Sequence, residues 1–192
     1  MYVFLSLTNK PMLLQSIESN VNKATGGIIR FARLERNLAV LCLFLPLFLI
    51  IGDGGPVRDS ISAYYNMSHN QIYGFLMTMA AMLFIVNGVV KNKHRYNTLL
   101  GVALTGVILF PCGEFPTVHY VFAIAFFAGN ALVIVLYTSR KERWFKVLLV
   151  VGIAIAMAGY FLFDALTLFY AEWISFAIIA LHYILESWGK ID

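Results

Sequence analysis

Residues 53–70 read DGGPVRDSISAYYNMSHN and separate two long apolar runs, NLAVLCLFLPLFLIIG at 37–52 and QIYGFLMTMAAMLFIVNGVV at 71–90. A short Gly/Asn linker would join two such runs. This insert instead holds an arginine, two aspartates, a histidine, three serines and paired tyrosines. Each run is close to the roughly 20 residues that a helix needs to cross a hydrocarbon core of about 30 Å. Together they specify helices that cross a bilayer, joined by a polar loop on one of its faces.

The composition of the 192-residue chain agrees. It is 60% hydrophobic and only 12% charged, with a mean hydropathy of +0.79, whereas soluble domains run near 45–50% apolar and about 25% charged. Six segments qualify as spans, at about 35–52, 71–90, 97–111, 117–138, 144–166 and 171–188, the first and third being short. The fold class is therefore all-α, a six-helix polytopic membrane bundle. Residues 1–34 form an N-terminal cytoplasmic segment and 35–192 the transmembrane domain. Ser68 and Gln71 have capping-box spacing at the start of the second span, and the fifth-to-sixth turn falls near Thr167–Tyr170. No cleavable leader is recognisable, because Lys10 and Pro11 end the first apolar run. Leu13, Leu14, Ile17 and Val21 fall near one helical face, which suits a short interfacial helix.

Lys and Arg set the orientation. With the N-terminus inside, thirteen of the fourteen lie on the cytoplasmic side, Lys146 among them, and only Arg58 lies outside. Both termini are then cytoplasmic, and a bacterial inner membrane is the natural location. Trp144 and Trp188 mark the inner aromatic belt, and Trp173, Tyr170, Tyr73 and Tyr120 the outer one. The net charge of +4 reflects this topology and anionic lipid. No nucleic-acid partner is needed, and homo-oligomerisation stays open. Cys42 and Cys112 belong to opposite sides, roughly 20 Å apart by helix rise, too far for a disulfide.

Polar chemistry gathers on the outer rim, while the inner rim reads as plain Lys/Arg anchoring. The first outer loop brings Arg58, Asp59, Ser60, Ser62, Tyr64, Tyr65 and His69. Glu114, His119, Asp164 and Glu172 approach from later segments. Arg58 should pair with Asp53, Asp59 or Asp164, the alternative being an anionic lipid headgroup, and Tyr64 and Tyr65 should anchor the loop over the bundle mouth at headgroup level. Inside the bilayer, Ser175, His182 and Glu186 share one face of the last span, and His119 and Asn130 one face of the fourth. Costly at that depth, such groups should point inward, toward Asn87. Asn87 and Asn130 are expected to bond between helices. Small residues of the fifth span, Gly152 to Gly159, should let a neighbour approach closely.

The stretch Asp59-Ser60-Ile61-Ser62-Ala63-Tyr64-Tyr65, with the closing Ser187-Trp188-Gly189-Lys190, resembles uncharacterised bacterial six-span membrane proteins with an S-I-S-A-Y-Y loop, themselves similar to the Frag/DRAM/Sfk type. The resemblance implies a fold and a topology, and no reaction. A second resemblance is to the membrane-embedded hydrolases that include the alkaline ceramidases, which use a serine, an aspartate and three histidines around zinc. It implies Ser60 or Ser62, Asp59 or Asp164, His69 and His119 as the matching groups. Glu114 or Glu172 would replace the missing third histidine, and Asp59 or Glu172 would act as base. No cofactor is otherwise indicated. The leading expectation is an outward-facing pocket, lidded by 53–70, that binds a lipid headgroup or small polar ligand. The alternatives are metal-assisted hydrolysis of a lipid ester or amide there, with Ser60, Asp59 and Glu172 as catalytic candidates, and a channel or transporter using the His/Asn/Glu stripes.

Overall fold

The structure, a computed structural model, describes residues 31–90, 95–136 and 142–188. The interfacial helix expected around Leu13–Val21 lies outside these residues. The described residues form six α-helices in order: α1 (Phe31–Asp53), α2 (Asn70–Val90), α3 (Tyr96–Leu109), α4 (Pro116–Leu136), α5 (Arg143–Phe161) and α6 (Leu168–Ser187), with a 3-10 turn at Ser62–Asn66 between α1 and α2. The described residues contain no strand. Each helix packs on its neighbour in sequence, and α6 closes the ring on α1. The α1/α6 and α2/α3 pairs are the most extensive, and α4/α5 is the thinnest join in the ring.

Five helices are long and apolar enough to cross a membrane, and α3, of 14 residues, is shorter. It stops at Leu109, where Phe110 precedes Pro111 and leaves the helical region, φ −116° and ψ 83°. Polarity is arranged as a hydrocarbon solvent demands. Leu99, Ile124, Leu136 and Ile155 face outward, while Asn87, Asn97, His119, Asn130, Ser175 and His182 are buried among the helices. Phe84 is the hub of the interior, edge-on to Phe126 at 5.3 Å and to Tyr183 at 5.8 Å.

The closest backbone approach is between α2 and α3. A Cβ on Gly101 would lie 2.7 Å from the Ala81 carbonyl oxygen, and one on Gly88 would collide with the Thr98 backbone nitrogen. On α5, Gly152 admits the Ile178 side chain of α6, as its small size suggests, while Ala154 stays exposed. Pro46 removes the N–H that would serve the Cys42 carbonyl of α1. One residue on, the Leu43 carbonyl accepts a bond from Trp173 Nε1 at 3.1 Å, a neighbouring helix serving backbone beside a proline.

Four expectations are corrected. The fifth helix ends at Phe161 rather than 166, and the turn occupies 162–167. There Asp164 adopts φ 49°, a left-handed conformation that aspartate tolerates, and the Ala165 N–H reaches back to the Gly159 carbonyl at 2.8 Å. Tyr73 is buried and Trp173 half-buried, so neither is a surface belt residue. Lys146 is 1% exposed, not a headgroup anchor. The end of the bundle opposite the 53–70 loop also holds buried Glu35, Asn87, Asn97 and His182, so it is more than a plain basic rim.

Candidate functional site

The polar insert is fastened to the bundle. Gly54, at φ 65°, ends α1 with its N–H on the Ile50 carbonyl. Arg58 then folds back on Asp53 through two bonds, Nε to Oδ2 at 2.7 Å and Nη2 to Oδ1 at 3.0 Å. That partner raises the guanidinium pKa above its ordinary value. The Arg58 guanidinium also lies 5.7 Å from the centre of the Tyr64 ring. Tyr64 is fully buried and packs against Phe169 at 5.9 Å, and burial raises its phenol pKa. It is a core residue, not the headgroup anchor expected. Tyr65 meets Tyr73 edge-on at 6.3 Å.

Two long-range bonds hold the loop to α6. The cap residue Thr167 makes no side-chain cap bond, and the Phe169 N–H donates instead to the Asp59 carbonyl at 2.8 Å, which satisfies one orphan donor of the helix start. The Ile61 N–H donates to Glu172 Oε2 at 2.7 Å. Ser60 Oγ accepts the Ala63 N–H and lies 3.0 Å from Ser62 Oγ, which tightens the 3-10 turn.

Beneath this fastening, the thin α4/α5 join opens into a crevice of about 530 Å³. Its walls are apolar: Ile124, Phe127, Ala128 and Ala131 from α4, and Val150, Ile153, Ala154 and Met157 from α5. Alanine on both walls leaves the gap unfilled. Its polar lining is Ser60, Ser62, Cys112, His119, Tyr120 and Glu172, all from the loop end of the molecule. From His119 to Ala131 the helix rises about 18 Å, slightly more than one leaflet of a roughly 30 Å core. A vestibule of about 620 Å³ shares Ser60, Tyr120 and Leu168 with the crevice and adds Asp59, Tyr160, Asp164 and Thr167.

At the head, His119 is 3% exposed and its Nδ1 lies 2.9 Å from the Phe110 carbonyl. A carbonyl only accepts, so Nδ1 carries the proton, and in a neutral ring Nε2 is the acceptor. Glu172 is 8% exposed. Its Oε1 has no hydrogen-bond donor among the described residues.

The other predicted residues divide. Asp59, Ser60, Ser62, His119, Asp164 and Glu172 line the two cavities, whereas His69 and Glu114 are exposed and line neither. Among the described residues no three His, Cys, Asp or Glu side chains gather as a metal site. The set His69, His119 and Glu114 therefore does not come together. Asn130 and Ser175 each donate to a carbonyl of their own helix, Phe126 and Ala171, not between helices as expected of Asn130. The interhelical chain runs instead from Tyr183 to Asn97 at 2.8 Å and from Asn97 to Asn87 at 3.3 Å. Asn97 escaped notice because a single asparagine at a helix start reads as a cap. The wall alanines escaped it because small residues read as packing.

Residues 44–187, three quarters of the chain and everything that builds the crevice, match the model of a family of unknown function, DUF7103. The chain belongs to that family. No curated protein and no solved structure matches it. The DUF7103 region runs from the middle of α1 to the end of α6, so loop, vestibule and crevice all belong to it.

Proposed function

We propose that this chain is a six-span membrane protein of the bacterial inner membrane with both termini cytoplasmic, and that its α4/α5 crevice binds one hydrocarbon chain of a membrane lipid. The lipid head would lie at Ser60, Ser62, His119 and Glu172. One observation carries the reading: the crevice is apolar along its length and polar at the loop end only, the polarity profile of a lipid in one leaflet. Its volume suits a small-molecule site, typically about 300–1,000 Å³, and its depth suits one leaflet. The 53–70 loop roofs the site as a fixed element, because it is fastened to α1, α2 and α6. In this reading α3, about 21 Å long by helix rise, crosses with its ends in the headgroups.

Native mass spectrometry of the protein released from mild detergent tests the proposal. The wild type should retain about one lipid per chain. Ala128→Phe and Ala154→Phe, which fill the crevice from its two walls, should lose it. Equal retention in all three would overturn the reading. For the hydrolase alternative, the ligand set His69, His119 and Glu114 does not gather among the described residues.

A further inference from the structure

Resting on that reading, we infer the chemical class of the lipid head: one that donates hydrogen bonds and carries no anionic group, with a primary amine as the best case and a hydroxyl next. The inference comes from what the head of the crevice offers. Glu172, more than nine-tenths buried, spends Oε2 on the Ile61 N–H and leaves Oε1 without a donor among the described residues. His119 spends its Nδ1 proton on the Phe110 carbonyl, so its other nitrogen accepts when the ring is neutral. Asp59 and Asp164 add two acids to the vestibule.

No lysine or arginine is among the residues lining either cavity. The one described guanidinium near this end, Arg58, is engaged on both carboxylate oxygens of Asp53. A phosphate or carboxylate head would therefore meet neutral hydroxyls, acceptors and acids, with no cation among the lining residues to offset its desolvation. An amine or hydroxyl supplies the donor that Oε1 of an ionised Glu172 lacks, and an ammonium also offsets the acidic vestibule.

Four hexadecyl probes with a mid-chain diazirine and different heads test this in nanodiscs of zwitterionic lipid: amine, alcohol, carboxylate and phosphate. Photolabelled peptides report both where the chain lies and which head is preferred. The amine and alcohol should label the α4/α5 wall, at Ala128, Ala131 or Ala154, about tenfold or more above the phosphate and carboxylate, the size of one charge-assisted bond. Glu172→Gln keeps an oxygen for the Ile61 N–H and should reduce the preference for amine without moving the labelled position. Asp164→Asn, at an exposed residue whose left-handed backbone asparagine also tolerates, should reduce it further. Phosphate or carboxylate labelling the same wall as strongly as amine would overturn the head-class inference and leave the lipid crevice standing. Labelling of that wall by no probe would overturn both.

Discussion

Glu172 on α6 accepts the backbone N–H of Ile61 at 2.7 Å, across 111 residues of chain. This bond, with that of the Phe169 N–H to the Asp59 carbonyl, makes the S-I-S-A-Y-Y loop part of the bundle. Removing the acceptor strands a buried donor. Glu172→Ala should therefore cost about 1–3 kcal/mol in unfolding free energy, and Glu172→Gln distinctly less. Reversible unfolding in mixed micelles measures both, and equal losses would mean that the bond does not hold the loop.

Two glycines of the α2/α3 pair should respond oppositely to the same added methyl. Gly101→Ala drives a Cβ to 2.7 Å from the Ala81 carbonyl and should destabilise by about 1–3 kcal/mol. Gly74→Ala meets nothing within 4 Å and should be neutral, or stabilising by up to about 1 kcal/mol, because alanine favours helix. Thermal unfolding of the pair decides, and a harmless Gly101→Ala would contradict the close approach.

The chain of bonds from Tyr183 through Asn97 to Asn87 joins three helices. A double-mutant cycle of Tyr183→Phe and Asn97→Ala should give a coupling of about 0.6 kcal/mol, the average for bonds between membrane helices, and no more than about 1.7 kcal/mol. Strict additivity would show that the two side chains act independently.

Orientation has its own test. In a background lacking Cys42 and Cys112, Val57→Cys should react with an impermeant maleimide on intact cells if the proposed orientation holds, since Val57 is 42% exposed in the 53–70 loop. Arg95→Cys, exposed at the opposite end, should react only after permeabilisation. The reverse pattern would invert the topology.

Hydropathy made the helices legible, since a bilayer demands long apolar runs. It failed at the end of α5, where Phe161-Leu162-Phe163 continues apolar through the turn and no glycine or proline marks the stop. The acidic and hydroxyl residues of the loop end were legible as a group, because few polar residues exist to choose from. What each one touches was not. Tyr64 and Ile61 sit in a polar loop with no periodicity to declare them buried, yet they are 0% and 2% exposed. The crevice was illegible for a related reason: a gap is a property of two facing helices, and Ala128 and Ala154 advertise small size without saying whether a neighbour fills the space.

The most direct test of the lipid crevice is an experimental density map of the protein in lipid nanodiscs. Elongated density is expected between α4 and α5, running from beside Glu172 and His119 down to Ala131. Helices α4 and α5 closed side chain to side chain, with no continuous density between them, would contradict it.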